Sequence, residues 1–380
     1  MLIAGGGIGG LTAAIALRRA GHDVLVLERA GEFREVGAGV GLGLNAVRVL
    51  RALGLEAAVL ALGPTIDRFD VRDFADRVLA PADAAAIARK HGAVNLCVHR
   101  AELLAVLAAA LPPEVVRLGA ECMGFSIESS GVVARLRDGS LERGDVLVGA
   151  DGVHSRVREQ LRNDGPPAYA GYTCWRGVAT DPARDVAANT LVESWGSGGR
   201  RFGAVSIGRG RTYWFAVKNA PAGERDLPGV KDRLLALFAD GPPLARPLLE
   251  ATPESAILRN DCADRPPAAR WGDGAVTLLG DAAHPMTPNL GQGACQAIED
   301  AIVLADCLAD AADPITALRR YERARIPRTA RIVAESRRFG AVAQLENRVA
   351  CGLRDFALRR WLGRGSMRRL ERVLTDGAPR

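Results

Sequence analysis

Met1-Leu-Ile-Ala-Gly5-Gly-Gly7-Ile-Gly-Gly10-Leu-Thr-Ala-Ala-Ile-Ala-Leu-Arg18, followed by Asp23-Val-Leu-Val-Leu-Glu28, decides how the chain begins to fold. A short apolar run, a glycine cluster, a helix from Leu11 to about Ala20 and a second apolar run read as strand, turn, helix and strand, one βαβ unit. The glycines fit GxGxxG, and their place between a strand and a helix supplies the context a bare pattern lacks. Gly5 permits the tight turn, Gly7 lets a pyrophosphate approach the backbone, and Gly10 lets helix and strand pack closely. Phosphates then meet the unpaired N–H groups and positive dipole end of the helix. Glu28 ends the second strand, eighteen residues after Gly10, where a carboxylate can accept hydrogen bonds from a ribose, and Arg29 is grouped with it. A dinucleotide with an unphosphorylated adenosine ribose follows, FAD or NAD; the alternative is glycines used only for packing.

Working outward, helical periodicity returns in 45–62 and 100–111, and Asp67 to Phe74 alternates as a half-buried strand does. Strand signals recur at 132–136, 145–149 and 275–279, and a long helix is predicted from about Gly293 to Leu308. Between Tyr169 and Val217 the text becomes rich in strand formers, which predicts an antiparallel sheet. Eight of the 18 aromatic residues lie there, Tyr169, Tyr172, Trp175, Trp195, Phe202, Tyr213, Trp214 and Phe215. Aromatics gather in cores and in pockets alike, so the clustering names a candidate binding sheet. Residues 353–374 form a basic amphipathic pattern, read as a terminal helix laying its leucines and Trp361 on the body, with a membrane or partner helix as the alternative.

Composition narrows the class. With 380 residues, 48% hydrophobic and 25% charged, the chain is globular rather than disordered or fibrous. The net charge of +6 comes almost entirely from arginine, since Lys90, Lys218 and Lys231 are the only lysines. That excess suits anionic ligands, but without a concentrated basic stripe it does not predict nucleic-acid binding. Seven scattered cysteines, none in CxxC spacing, indicate neither a disulfide framework nor a zinc site, and His22, His91 and His99 show no metal-ligand spacing. A reducing cytoplasm fits. No run reaches the length of a membrane span.

Two later segments bear on the cofactor: Gly149-Ala-Asp151-Gly-Val-His-Ser155-Arg-Val-Arg158 after an apolar strand, and Leu279-Gly-Asp281-Ala-Ala-His-Pro285-Met-Thr-Pro288-Asn-Leu-Gly291-Gln-Gly293 between a strand and a helix. Each alone could be an ordinary turn. In order with the first, they resemble the class A flavoprotein monooxygenases, the para-hydroxybenzoate hydroxylase family, over residues 1 to about 340. Tyr169-Ala-Gly-Tyr-Thr-Cys-Trp-Arg-Gly177 and His284 to Gln292 resemble the branch of zeaxanthin epoxidases, salicylate hydroxylases and urate hydroxylases.

The resemblance implies an α/β fold: a Rossmann-like FAD-binding domain (GR2 type) with an inserted antiparallel-sheet substrate domain and C-terminal helices. The expected boundaries are 1–65, 96–165 and 266–340 for the FAD-binding domain, 66–95 and 166–265 for the substrate domain, and 341–380 for the helices. It implies that Asp281 bonds the ribityl chain of FAD and that Gly291, Gln292, Gly293, Ala294 and Cys295 point helix amides at the flavin N1–C2=O edge. Arg100 lies near the FAD phosphates and ribityl chain, Cys122 at adenine, and Val40 and Gly41 beside the isoalloxazine. Asp151 and Arg158 form the family's DG motif at the pyrophosphate and nicotinamide, and Pro288 lines the face where oxygen reacts. His284 is mainly structural in this family, with general acid or base work as the alternative.

The activity implied is monooxygenation: NADPH or NADH reduces FAD, dioxygen adds, and a flavin hydroperoxide hydroxylates or epoxidises a small aromatic, heteroaromatic or polyene substrate. The protein is then a monomer or homodimer. Where salicylate-type enzymes offer a histidine, this chain carries Arg201, which either pins an anionic substrate with Tyr213 beside it or is solvated at a strand edge. Other FAD-dependent oxidases, reductases or halogenases, or a flavin-binding protein without turnover, are the alternatives.

Overall fold

Five parallel strands bring the three distant motif segments side by side. Their order is Val276–Leu278, Leu147–Gly149, Leu2–Ala4, Leu25–Glu28 and Val116–Leu118, with Leu2 level with both Leu147 and Leu25. Leu2–Ala4 is central and buried on both faces, which is why it reads as an unbroken apolar run. Because neighbouring strands run the same way, the loops after Ala4, Gly149 and Leu278 leave the same edge of the sheet, where open α/β sheets bind ligands. The computed structural model describes residues 1–33, 38–129, 131–180, 187, 189–309, 311–362 and 365–378.

A second sheet of seven strands runs Leu258–Asp264, Ala168–Thr180, Arg211–Asn219, Arg200–Ser206, Thr190–Trp195, Arg68–Asp73 and Val78–Asp83. It is antiparallel as expected except between Thr190–Trp195 and Arg68–Asp73, which run parallel. Its faces divide the aromatic cluster. On the back, Trp175, Phe202 and Trp214 pack on helices Val230–Leu237 and Ala245–Glu250, with Phe202 stacked on Trp214 at 5.7 Å. Removing one such ring costs about 3–5 kcal/mol. On the front, cross-strand register places Arg201 with Val217 and Cys174, and Tyr213 with Val205 and Val178. Smaller sheets pair Cys122–Glu128, Gly131–Leu136 and Leu141–Gly144, and Gly39–Leu42 with Leu96–His99.

Two helical expectations are corrected. The pattern over 45–62 becomes Leu44–Ala52 and Glu56–Leu60, broken at Gly54, whose φ of +68° ends the first helix. The terminal pattern becomes Arg348–Ala357, a wide turn Leu358–Leu362, and Ser366–Thr375. Leu374 packs on Leu44 and Ile87, but Leu353 and Trp361 are 66% and 65% exposed and cover nothing. Cys351 and Arg354 take the inner face of their helix instead.

Candidate active site

The first turn divides its labour among three glycines. Gly5 sits at φ +106°, and a side chain there would run into the carbonyl of Ala150, just past the end of the neighbouring strand. A Cβ on Gly10 would strike the Gly5 carbonyl, whereas one on Gly7 would meet nothing within 4 Å. The open position is the one a phosphate needs. Glu28 closes the turn, accepting from Gly6 N at 2.6 Å and Ala30 N at 2.8 Å.

The second turn is built around Asp151, which accepts from the backbone N–H of Arg156 at 2.7 Å and Val157 at 3.2 Å and from the Ser155 hydroxyl. Burial pushes its carboxyl up, against those hydrogen bonds. Arg158 is only 2% exposed. Its guanidinium pairs with Asp164 at 2.6 Å and donates to the carbonyls of Ala282 and Ala283 at 3.0 and 2.8 Å. The structure therefore directs Arg158 to the third turn rather than into the open cleft, and it fastens the two turns together.

In the third turn, Asp281 lies deep in the protein yet keeps a solvent-accessible side chain, as a group on a cleft floor does. Burial raises its carboxyl, opposed by His284 and Arg100. Arg100, on the first turn of helix Arg100–Ala109, is half-buried and makes no side-chain hydrogen bond or ion pair with any described residue. Burial first, then Arg176, lowers its pKa, while Asp281 and Glu28 raise it. A desolvated cation and a carboxylate without hydrogen-bond partners among the described residues, together with the open space at Gly7, fit a dinucleotide with a polyhydroxyl chain.

Helix Gly293–Ala309 aims its first amides at this cleft, where they have no acceptor within the helix. Gly291 turns the chain into it at φ +61°, and Pro288 stands exposed at the rim. Cys295 Sγ lies 3.2 Å from Gly43 N and 3.6 Å from Gly41 O, holding the half-buried Val40 and Gly41 against the helix start. Burial pushes its thiol up to about 12, so it is an inert packing group. Cys122 is buried at the start of its strand, beside the first two turns' sheet.

Beneath the cleft lies an ionic layer that the sequence reading missed. Glu299 and Asp300 are fully buried and meet Arg325 at 2.6 Å each, and Arg328 bonds Glu299 at 2.7 Å. Glu299 also accepts from Asn45 at 2.6 Å, and Asn45 donates to Gln292 at 3.1 Å, so the layer reaches the helix start. His284 Nε2 is 2.6 Å from Asp300 and is enclosed in this layer, a structural place. Desolvation would raise Asp300, but His284 and Arg325 overcome it and hold the carboxyl at about 2. The one available signal was two adjacent acids in a mostly apolar helix.

On the front face of the large sheet Arg201 is 2% exposed, so the solvated-edge alternative does not hold; its strand is internal. Its Nη1 donates to Glu193 at 2.9 Å, its Nη2 to Asn289 at 2.8 Å, and it lies over the Tyr172 ring at 5.7 Å. Trp195 Nε1 shares the Glu193 oxygen at 3.0 Å. Tyr213 does not stand beside Arg201: four residues of register separate them, roughly 13 Å along the strand. Its ring instead packs under Gly39, next to Phe215, and burial raises its hydroxyl. Arg176, half-buried between Tyr213 and Arg100, was not singled out in the sequence; its Nη2 bonds Asn260 at 2.7 Å and its Nε is buried without a partner among the described residues.

Residues 1–336 match the FAD binding domain family. Aurachin C monooxygenase/isomerase of Stigmatella aurantiaca is 44% identical over 359 residues, 94% of this chain and 93% of that protein. The 3-amino-4-hydroxybenzoate 2-monooxygenase PtnB3 of Streptomyces platensis is 37% identical, covering 93% and 90%. Among solved structures, Klebsiella pneumoniae HpxO complexed with FAD and uric acid is similar at a TM-score of 0.92, with 29% identity, over 100% of this chain and 97% of that one. The three converging turns and these likenesses agree: the chain belongs to the class A FAD-dependent monooxygenases and is an FAD enzyme of that family.

Proposed function

We propose that this monooxygenase uses NADPH or NADH and dioxygen to insert one oxygen atom into a planar aromatic or heteroaromatic substrate seated on the front face of the seven-stranded sheet. The observation that carries the reading is that this face, which holds Tyr172, Tyr213 and Phe215, meets the loops of the cleft directly, Tyr213 packing under Gly39 and the Tyr172 hydroxyl accepting from Asn289 at 2.9 Å. When bound, FAD supplies hydride acceptance from the nicotinamide and activation of dioxygen.

The chain's own residues would divide the binding work. Gly5, Gly7 and Gly10 with the amides of the first helix receive the pyrophosphate, and Glu28 and Arg29 the adenosine ribose. Cys122 takes the adenine edge, while Arg100, Asp151 and Asp281 take the phosphates and the polyhydroxyl chain. Gly291 to Cys295 present N–H groups to the ring edge that gains negative charge on reduction. Val40, Gly41 and Pro288 flank the ring and exclude water. Arg201 meets Glu193 before it meets any ligand, so it acts by positioning Asn289 and the rim loop rather than as a free anion clamp.

The test is direct. Purified protein should retain FAD, oxidise NADH or NADPH faster when a suitable aromatic compound is added, and yield product carrying one atom from isotope-labelled dioxygen. A protein that holds FAD but incorporates no label with any aromatic or heteroaromatic compound tried overturns the substrate reading.

A further inference from the structure

The helix Arg348–Ala357 and the turn after it carry an apolar stripe that no described part of the protein covers. Val349, Leu353 and Phe356, spaced as one helical face, are 71%, 66% and 51% exposed, and Trp361 is 65% exposed. The Phe356 and Trp361 rings meet edge-on at 5.4 Å, making one continuous surface. The opposite side of the helix is anchored: Arg354 lies over the Trp195 ring at 5.2 Å, and Cys351 Sγ reaches Gly196 O at 3.7 Å. The stripe therefore points away from the body.

Its borders are basic. Arg348, Arg359 and Arg360 are exposed and form no ion pair with a described residue, whereas the nearby acids are engaged, Asp355 by Arg354 at 2.8 Å and Glu346 by Asn219 at 2.7 Å. No described helix is long and apolar enough to cross a membrane. We propose that this face docks on the surface of a membrane containing anionic phospholipid, with the four apolar side chains entering the headgroup boundary and the arginines meeting phosphates. A protein groove would have to place carboxylates against each arginine separately, whereas a lipid surface offers anionic groups wherever they fall. Docked in this way, the end of the seven-stranded sheet that holds Trp195 stands one helix away from the lipid.

The holoprotein is to be sedimented with vesicles of phosphatidylcholine alone and of phosphatidylcholine with phosphatidylglycerol. Binding should be at least about tenfold stronger to the anionic vesicles and weaken with added salt. The triple variant Leu353→Ser, Phe356→Ser, Trp361→Ser and the triple variant Arg348→Gln, Arg359→Gln, Arg360→Gln should each lose at least about tenfold, with FAD content and NAD(P)H oxidation in solution unchanged. Absence of binding to anionic vesicles, or apolar variants that bind as well as the parent, overturns the proposal. So does a wild-type dimer that the apolar substitutions dissociate, since a second copy would then cover the stripe. None of these readouts depends on the substrate.

Discussion

Arg201 and Glu193 form a 2.9 Å ion pair inside the seven-stranded sheet, with the Trp195 indole on the same carboxylate oxygen. Breaking such a pair strands a charge that water cannot reach. Glu193→Ala is expected to cost about 3–5 kcal/mol, measured as a fall in the urea midpoint, with Glu193→Gln milder because it keeps the indole's acceptor. Arg201→Ala should retain FAD but lower the share of NAD(P)H oxidation that ends in product; an unchanged share speaks against a role in the substrate chamber.

Two glycines of one motif should fail differently. Gly7→Ala adds a methyl into open space at an ordinary φ of −73°, so thermal stability without cofactor should stay within about 1 kcal/mol while FAD affinity falls at least tenfold. Gly10→Ala drives a methyl into the Gly5 carbonyl and should destabilise the apoprotein by about 3 kcal/mol or more. Equal losses of stability in both variants would refute this division.

Arg158 joins two of the three turns through the Ala282 and Ala283 carbonyls. Removing a charged donor typically costs about 1.5–3 kcal/mol per bond. Arg158→Ala is therefore expected to weaken FAD binding by roughly ten- to a hundredfold through loosening of the Asp281 loop. Quenching of FAD fluorescence on titration reports it, and Arg158→Lys should restore only part, because one ammonium cannot serve Asp164 and two carbonyls together.

The Asp300 carboxyl is held at about 2 against an ordinary 3.8. A depressed carboxyl contributes stability above its unfolded value and loses it as the pH falls through the folded one. Melting temperature should accordingly drop between about pH 4 and about pH 2, and Asp300→Asn should flatten that limb while lowering stability near neutrality. A wild-type acid limb identical to that of the variant would remove Asp300 from this account.

The local features were legible because their causes are local. A glycine turn between an apolar strand and a helix announces itself within 28 residues, and Asp67 to Phe74 does hold the strand Arg68–Asp73, although its buried members are Asp70 and Asp73 rather than the apolar residues the alternation named. Its parallel partner, Thr190–Trp195, lies too far along the chain for any pattern to name. The same limit hid the place of Arg201, since alternation fixes which residues share a face but not whether a strand is internal. Arg158 read as a ligand because its motif is a ligand motif, although Asp164 and the distant carbonyls at 282 and 283 claim its donors. Leu353 and Trp361 read as core because helical spacing identifies a stripe without saying on which side the body lies.

The charged layer formed by Glu299, Asp300, Arg325 and Arg328 has a bearing on heat. Desolvating ions becomes less costly as temperature rises, while apolar contacts gain nothing further. Warming should thus soften the oily layers around helix Gly293–Ala309 before it loosens the helix from its arginine clamp. The platform under the cleft is then the part of the molecule that lets go last, and its amides should be the slowest to exchange with deuterium near the melting transition.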